Sequence, residues 1–186
     1  MLTIGDQFPK FELAASVKCS DNLDEAFETM TNDSFDGKWK VYFFWPKDFT
    51  FVCPTEIQGF GLIADKVAEA GGQMFGVSLD SEFVHNAWRK HEPRLTDSPF
   101  PWLADIGGKL TEELGILRAD AGVAMRATFI VDPKNTIQWV SVYGAEVGRE
   151  PAEVLRALQA TIDFIDHGSL MPCAWIPGQA TLTPGE

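Results

Sequence analysis

The residue whose type and setting most suggest chemistry is Cys53. It sits in the run Pro46-Lys47-Asp48-Phe49-Thr50-Phe51-Val52-Cys53-Pro54-Thr55-Glu56. An apolar, aromatic stretch, Val41 to Trp45, leads into that run, and helical spacing leads out of it. A thiol at a helix N-terminus meets free backbone N–H groups and the positive end of the helix dipole, and both favour thiolate over thiol. The chain therefore presents one activated sulfur nucleophile, and its chemistry is cysteine redox chemistry. The other two cysteines, Cys19 and Cys173, stand far away in sequence. Cys19 matches no motif and is expected to be non-catalytic. Cys173 lies in a terminal stretch mobile enough to bring a second thiol near the first.

A lone cysteine beside an aromatic strand is ordinarily a small buried hydrophobe; only the surrounding run sets Cys53 apart. A cysteine hydrolase would need a base, and no histidine is placed for it by a motif. His85, His91 and His167 make no metal-ligand pattern with each other or with the unpaired cysteines, so no metal is expected. No Walker loop or dinucleotide fingerprint is present, so no nucleotide cofactor is expected.

The elements that must position Cys53 follow from periodicity and punctuation. An opening strand or hairpin is expected over residues 8–15 and a short helix over 24–30. Residues 40–45 form a continuous apolar run, as in a strand buried on both faces. Pro54 fits the first position of the next helix, and Glu56 falls in its first turn, where negative charge is favoured. Ile57, Phe60, Ile63 or Ala64, and Val67 recur at helical spacing until Gly71-Gly72 stops the helix. A strand over 73–79 follows, then a helix capped by Ser81 and running to about His91 before Pro93. Next come a short strand over 100–103, a short helix over 109–114 and a strand over 126–131. A turn at Asp132-Pro133-Lys134-Asn135 leads to a returning strand over 136–142. Pro151 opens a last helix, with Val154, Leu155, Leu158, Ile162 and Ile165 on its apolar face. Strands alternating with helices, then a hairpin and a helix, predict an α/β fold of the thioredoxin-like type. It has a central mixed sheet flanked by helices, with the nucleophile at the carboxyl end of a strand. The domain is expected to span residues 1–165, with a Pro- and Gly-rich tail over 166–186. The Cys-x-x-Cys pair of thioredoxin itself is absent.

Composition excludes several function classes. With 27 acidic and 15 basic residues among 186, the net charge is −12, which argues against nucleic acid as the partner. No apolar run approaches the roughly 20 residues of a membrane span. The stretch Met1 to Asp6 has no basic segment followed by an apolar core, so no secretory signal is expected and a reducing cytoplasm is the expected location. An odd number of cysteines cannot form a fully paired intrachain framework.

At this point the chain resembles the peroxiredoxins of the typical two-cysteine class. Pro46-x-x-x-Thr50-x-x-Cys53 matches their active-site pattern, and Phe51-Val52-Cys53-Pro54-Thr55-Glu56 is its usual continuation. Arg126-Ala127-Thr128-Phe129-Ile130-Val131-Asp132 resembles their arginine-bearing strand. Gly148-Arg149 before Glu153-Val154-Leu155-Arg156 is similar to the segment opening their last helix, and Cys173 with Trp175 to their resolving-cysteine segment. The similarity runs from about Gly5 to Trp175.

The resemblance implies a peroxidase that reduces hydrogen peroxide and organic hydroperoxides through a sulfenic acid on Cys53. It gives Thr50 a place hydrogen-bonding peroxide and thiolate, Pro46 a shielding role over the sulfur, and Arg126 the donors to sulfur and peroxide oxygen. Glu56 and Arg149 would hold Arg126. A helix end contributes only about 0.3–1 kcal/mol to an exposed charge. Each tenfold shift toward thiolate needs about 1.4 kcal/mol, so much of the stabilisation is expected to come from the arginine. Cys173 would then form an intersubunit Cys53–Cys173 disulfide, which implies a homodimer, assembled in this family into decamers, and a disulfide reductant, thioredoxin-like or dedicated. The family's usual resolving cysteine stands four residues before the tryptophan; here Met171 holds that place and Cys173 stands two before Trp175. The Gly-Gly-Leu-Gly insertion and terminal Tyr-Phe helix of peroxide-sensitive members have no counterpart in Gly107-Gly108-Lys109 or in the ending Thr183-Pro184-Gly185-Glu186, which implies resistance to overoxidation. A second reading is a chaperone or redox-relay module, because rings of this family bind unfolded clients; peroxide consumption with a dithiol donor separates the two.

Overall fold

A computed structural model describes residues 1–183. Residues 184–186 of the expected tail lie outside the described part. The central strand β3 (Trp39–Phe44) is buried at every position, as its unbroken apolar run predicts. It pairs in parallel with β4 (Gly72–Ser78), and β4 pairs in parallel with β5 (Trp102–Ala104). On the other side β3 pairs antiparallel with β8 (Arg126–Val131), which pairs antiparallel with β9 (Ile137–Tyr143). Two further antiparallel strands, β1 (Glu12–Ser16) and β2 (Phe27–Thr31), extend the β5 side. The mixed seven-stranded order is β2-β1-β5-β4-β3-β8-β9.

Alternation along β3 sends side chains to two cores. Val41, Phe43 and Trp45 face α2 (Cys53–Glu69), α3 (Glu82–His91) and α5 (Pro151–His167), meeting Ile57, Phe60, Trp88 and Leu158. Tyr42 and Phe44 face Phe8, Leu110 and Ile116 around α4 (Lys109–Glu113). The Phe43 and Phe60 rings stack at 4.1 Å and bind α2 to the sheet. Trp45 lies so close over β4 that a Cβ on Gly76 would sit 2.5 Å from its ring, which explains a glycine inside a central strand.

The expected helix over 24–30 is a correction. Asn22 does cap a helix, but α1 spans only Leu23–Ala26 before the chain becomes β2. Pairing of all five β2 residues with β1 outweighs the weak helical signal of the acidic pair Asp24-Glu25. The small hairpin of β6 (Leu117–Arg118) and β7 (Val123–Ala124) was not anticipated; two-residue strands carry no periodic signal. On α5, Val154 and Leu158 are buried, but Ile165 is half exposed near the helix end. Among the described residues no helix is long and apolar enough to cross a membrane.

Candidate active site

Cys53 opens α2, with Pro54 in the first helical turn and Val52 as N-cap. Val52 supplies no side-chain cap, although its carbonyl accepts from the Thr55 and Glu56 N–H groups. The sulfur is buried. Because β8 lies beside β3, its first residue, Arg126, reaches the end of β3 where α2 begins. Its Nη1 donates to Cys53 Sγ at 3.3 Å and to Glu56 Oε2 at 2.6 Å, while Nε donates to the Ala145 carbonyl at 2.7 Å.

Glu56, one turn into α2, is the hub. Its Oε1 accepts from the Arg149 backbone N–H at 2.9 Å and from Arg149 Nε at 2.8 Å, and Oε2 accepts from Arg149 Nη2 at 3.1 Å. Arg149 spends its remaining donor, Nη1, on the Ala127 carbonyl and Thr128 Oγ1 of β8, and its guanidinium lies against the Phe43 and Phe60 rings. Burial pushes the Glu56 carboxyl up, but the hydrogen bonds and charge of Arg149, with the charge of Arg126, outweigh it and hold the group below the usual carboxylate range. Burial pushes the Arg149 guanidinium down, and Glu56 opposes that shift. The set carries two cations and one anion before the sulfur is counted, so a thiolate at Cys53 completes a neutral cluster. Fully paired buried charges of this kind fix geometry more than they add stability.

The loop before Cys53 differs from expectation. Thr50 lies outside the helix, and its hydroxyl donates to the Lys47 carbonyl at 2.9 Å rather than to the sulfur. Pro46 is half-buried at the start of the loop. Phe49 is held at φ +54°, a left-handed conformation costing a non-glycine residue about 1–2 kcal/mol. Two residues missed in the sequence secure this loop from behind: Asp48 Oδ2 meets His85 Nδ1 at 2.7 Å, both fully buried. Only chain folding reveals the pair, since 37 positions separate the two. Trp88 and Trp102 are both buried; Trp88 touches Phe49, while Trp102 lies under the Arg89 guanidinium.

All three cysteines are unpaired. Cys19 is half-buried in the β1–α1 loop, whose Ser20 is tied to α3 by Asn86. Cys173 is exposed on the tail. Two residues on, buried Trp175 lines a cavity of about 270 Å3 with Ala70, Ile162 and His167, and its carbonyl accepts from Arg156 Nη1. Ala70 caps the far end of α2, a helix of 17 residues, about 25 Å from Cys53. Among the described residues no group of three or more His, Cys, Asp or Glu is placed to hold a metal ion.

A nucleophilic sulfur at a helix start on a thioredoxin-like sheet, faced by a guanidinium, is the frame of a thiol peroxidase. The chain belongs to the AhpC/TSA family, whose profile matches residues 4–140. It is 47% identical to alkyl hydroperoxide reductase C of Mycobacterium tuberculosis, over 100% of this chain and 96% of the relative. The solved structure of Mycobacterium tuberculosis AhpC superposes with a TM-score of 0.84 at 46% identity, covering 94% of this chain and 99% of that one. The reduced 2-Cys peroxiredoxin of Plasmodium vivax superposes with a TM-score of 0.90 at 28% identity, over 99% of this chain and 94% of its own. Thiol-dependent peroxide reduction is the activity of this family.

Proposed function

We propose that the chain reduces hydrogen peroxide and organic hydroperoxides with Cys53 as the attacking sulfur. The thiolate attacks the distal peroxide oxygen, the O–O bond breaks, and the leaving oxygen takes a proton to depart as water or an alcohol. Cys53 becomes a sulfenic acid. The observation that carries this reading is the Arg126 Nη1 bond to Cys53 Sγ, made by a guanidinium that Glu56 and the Ala145 carbonyl hold in one orientation. Charge-assisted donors fixed before the reaction stabilise charge developing on the oxygens without reorganisation. The family pattern assigns Thr50 and Pro46 to the pocket of the sulfur: the Thr50 hydroxyl turns from Lys47 toward a bound peroxide, and Pro46 limits water.

Cys173 is the resolving thiol. It displaces hydroxide from the sulfenic sulfur as water, leaving a disulfide. The seat of Trp175 at the far end of α2 favours a partner over the same chain, giving an intersubunit Cys53–Cys173 bond. Past Ile137, which is bonded to Gly5 and Asp6, β9 has β8 as its neighbouring strand, so the rest of its outer edge suits pairing with a second copy. Dimers of this kind assemble into a decamer. In a reducing cytoplasm a thioredoxin-like or dedicated dithiol protein then restores both thiols. Residues 1–165 carry the peroxidase chemistry and the tail carries resolution.

The test treats the reduced protein with one equivalent of hydrogen peroxide and maps the product by non-reducing gel and peptide mass. A Cys53–Cys173 link between chains, absent in Cys173→Ser, is the expected result. A stable monomeric sulfenic acid would remove Cys173 from the reaction, and intact peroxide would remove the function.

A further inference from the structure

Away from the Cys53 site, a fully buried cation stands without a bonded carboxylate. Arg89, on α3, is 0% exposed. Its Nη1 donates to the Ser98 carbonyl at 3.1 Å, and its Nη2 donates to the carbonyls of Ser16 and Phe100 at 3.0 and 2.9 Å. Its guanidinium carbon lies 4.1 Å from the centre of the Trp102 ring. All of these neighbours are uncharged. Among the described residues no atom accepts from Arg89 Nε, although that donor is buried too. A buried charged donor left unmatched is costly. Arg89 forms one wall of a cavity of about 250 Å3 that also meets Lys18, Cys19 and Asp97. Lys18 turns to Glu25, and the guanidinium gives Asp97 no hydrogen bond. Cys19 is unpaired and half-buried, and no other cysteine lines the cavity. Burial pushes the Arg89 guanidinium down to about 9, and charge on Cys19 opposes that shift ahead of charge on Asp48. The reduced sulfur leaves Nε unfilled, whereas an oxygen carried on that sulfur reaches one bond further.

We propose that Cys19 is a second oxidation site, at which hydroperoxide converts the thiol to a sulfinate whose oxygen accepts the free Nε hydrogen of Arg89. The Cys19 thiolate attacks one oxygen of a first hydroperoxide and the O–O bond breaks. The sulfur loses two electrons, the peroxide gains them, and water or an alcohol leaves with the peroxide proton, so a sulfenate remains. A disulfide would be the next step if a second thiol lay at hand. This cavity supplies none, so the sulfenate attacks a second hydroperoxide in the same way and becomes a sulfinate. That product is an anion with two strong acceptors, set against a cation that lacks both an anion and one acceptor. The change is local but consequential. Cys19 belongs to the β1–α1 loop, which α3 already holds through the bonds of Asn86 to Ser20 and the ion pair of Lys90 with Asp21. A bond from Arg89 to the oxidised sulfur adds a third tie between the same loop and the same helix. Peroxide exposure is thereby recorded on the face of the sheet edge rather than at Cys53, and the mark outlasts each turnover because a sulfinate is not reversed by thiols.

The exposed Cys173 serves as an internal control, since exposure alone makes it the easier target. Its neighbour Arg156 already spends its Nε and Nη2 donors on Glu153. The experiment treats the full-length Cys53→Ser protein with hydrogen peroxide, traps sulfenic acids with dimedone in one series, and reads sulfinate by peptide mass in another. Cys19 is expected to be oxidised about tenfold faster than Cys173, and to accumulate two oxygens when no trap is present. Arg89→Lys keeps the charge and removes the Nε donor; in that protein the rate at Cys19 is expected to fall to that of Cys173. Hydrogen exchange of the amides of residues 17–21 is expected to slow after oxidation, and to stay unchanged in Cys19→Ser. Oxidation of Cys173 ahead of Cys19, a Cys19 that stays reduced, or loop exchange indifferent to oxidation would each overturn the proposal. Should Arg89→Lys not fold, the order of the two thiols and the exchange data decide. In the otherwise native protein, Cys19→Ser is expected to keep the full rate of peroxide turnover, and a loss there would overturn the assignment of Cys19 to a separate site. The Cys53→Ser protein has no turnover at Cys53, so failure of the peroxidase reading leaves this result intact.

Discussion

Truncating Arg126 to alanine isolates the group that faces the sulfur. It removes the Nη1 bonds to Cys53 Sγ and Glu56 Oε2 and the Nε bond to the Ala145 carbonyl. Loss of one fixed donor aimed at developing charge costs about 2.7–4 kcal/mol in the transition state, about a hundred- to a thousandfold in rate. The stability cost is smaller, because Glu56 keeps its bonds from Arg149 and is not left as an unpaired buried charge. A loss of about 1–3 kcal/mol is expected, at about 2–4 °C of melting temperature per kcal/mol for a chain of this size. Stopped-flow peroxide reduction gives the first quantity and a thermal melt the second. Arg126→Lys keeps the charge without the planar fork and should fall between the two. A folded Arg126→Ala protein slowed by less than about tenfold, equivalent to about 1.4 kcal/mol, would refute the role given to the guanidinium.

Three further outcomes follow from the geometry. The Glu56 carboxyl is held below its ordinary value of 4.5, so its stabilising share is complete above that pH and is lost as pH falls through the lower folded value. Glu56→Gln, which leaves Arg126 and Arg149 without their anion, should cost about 3–5 kcal/mol near neutrality and show a shallower decline on acidification in urea titrations; a parallel decline would contradict the assignment. Gly76→Ala drives a methyl into the Trp45 ring, 2.5 Å away, and should lower stability by about 1–3 kcal/mol in a thermal melt. Trp175→Ala empties the seat beside Ala70 and Ile162, so a protease of broad specificity such as subtilisin should cut the tail faster while the melt of the core stays near native.

Legibility in the sequence followed the range of the interaction. Cys53, Pro54 and Glu56 are neighbours on one helix start, so local spacing alone placed them. Arg126 and Arg149 stand 73 and 93 positions from the groups they meet, Cys53 and Glu56, and only the family resemblance joined them beforehand. Their convergence follows physically from β8 adding antiparallel to β3, which no local pattern encodes. His85 was invisible for the same reason, with no resemblance to point it out. The β2 error shows the reverse: a short helix does form near Asp24, but where it yields to a strand depends on β1, a separate segment. The bond of the Thr50 hydroxyl to the Lys47 carbonyl could not be read from spacing, because a loop, unlike a helix, does not convert spacing into direction.

The seclusion of Cys53 imposes an order of events. A hydroperoxide of a few atoms can enter where the sulfur lies 1% exposed, but another polypeptide's thiol cannot. On the proposed intersubunit route the oxidised sulfur comes out to meet its partner, and α2 gives up its first turn each cycle. That turn is lightly fastened: Val52 gives it no side-chain cap, a saving of about 1 kcal/mol against opening that a serine or aspartate there would withhold. The dwell between oxidation and emergence is the interval in which a second oxidant molecule can strike, so the missing cap shortens the window for irreversible damage.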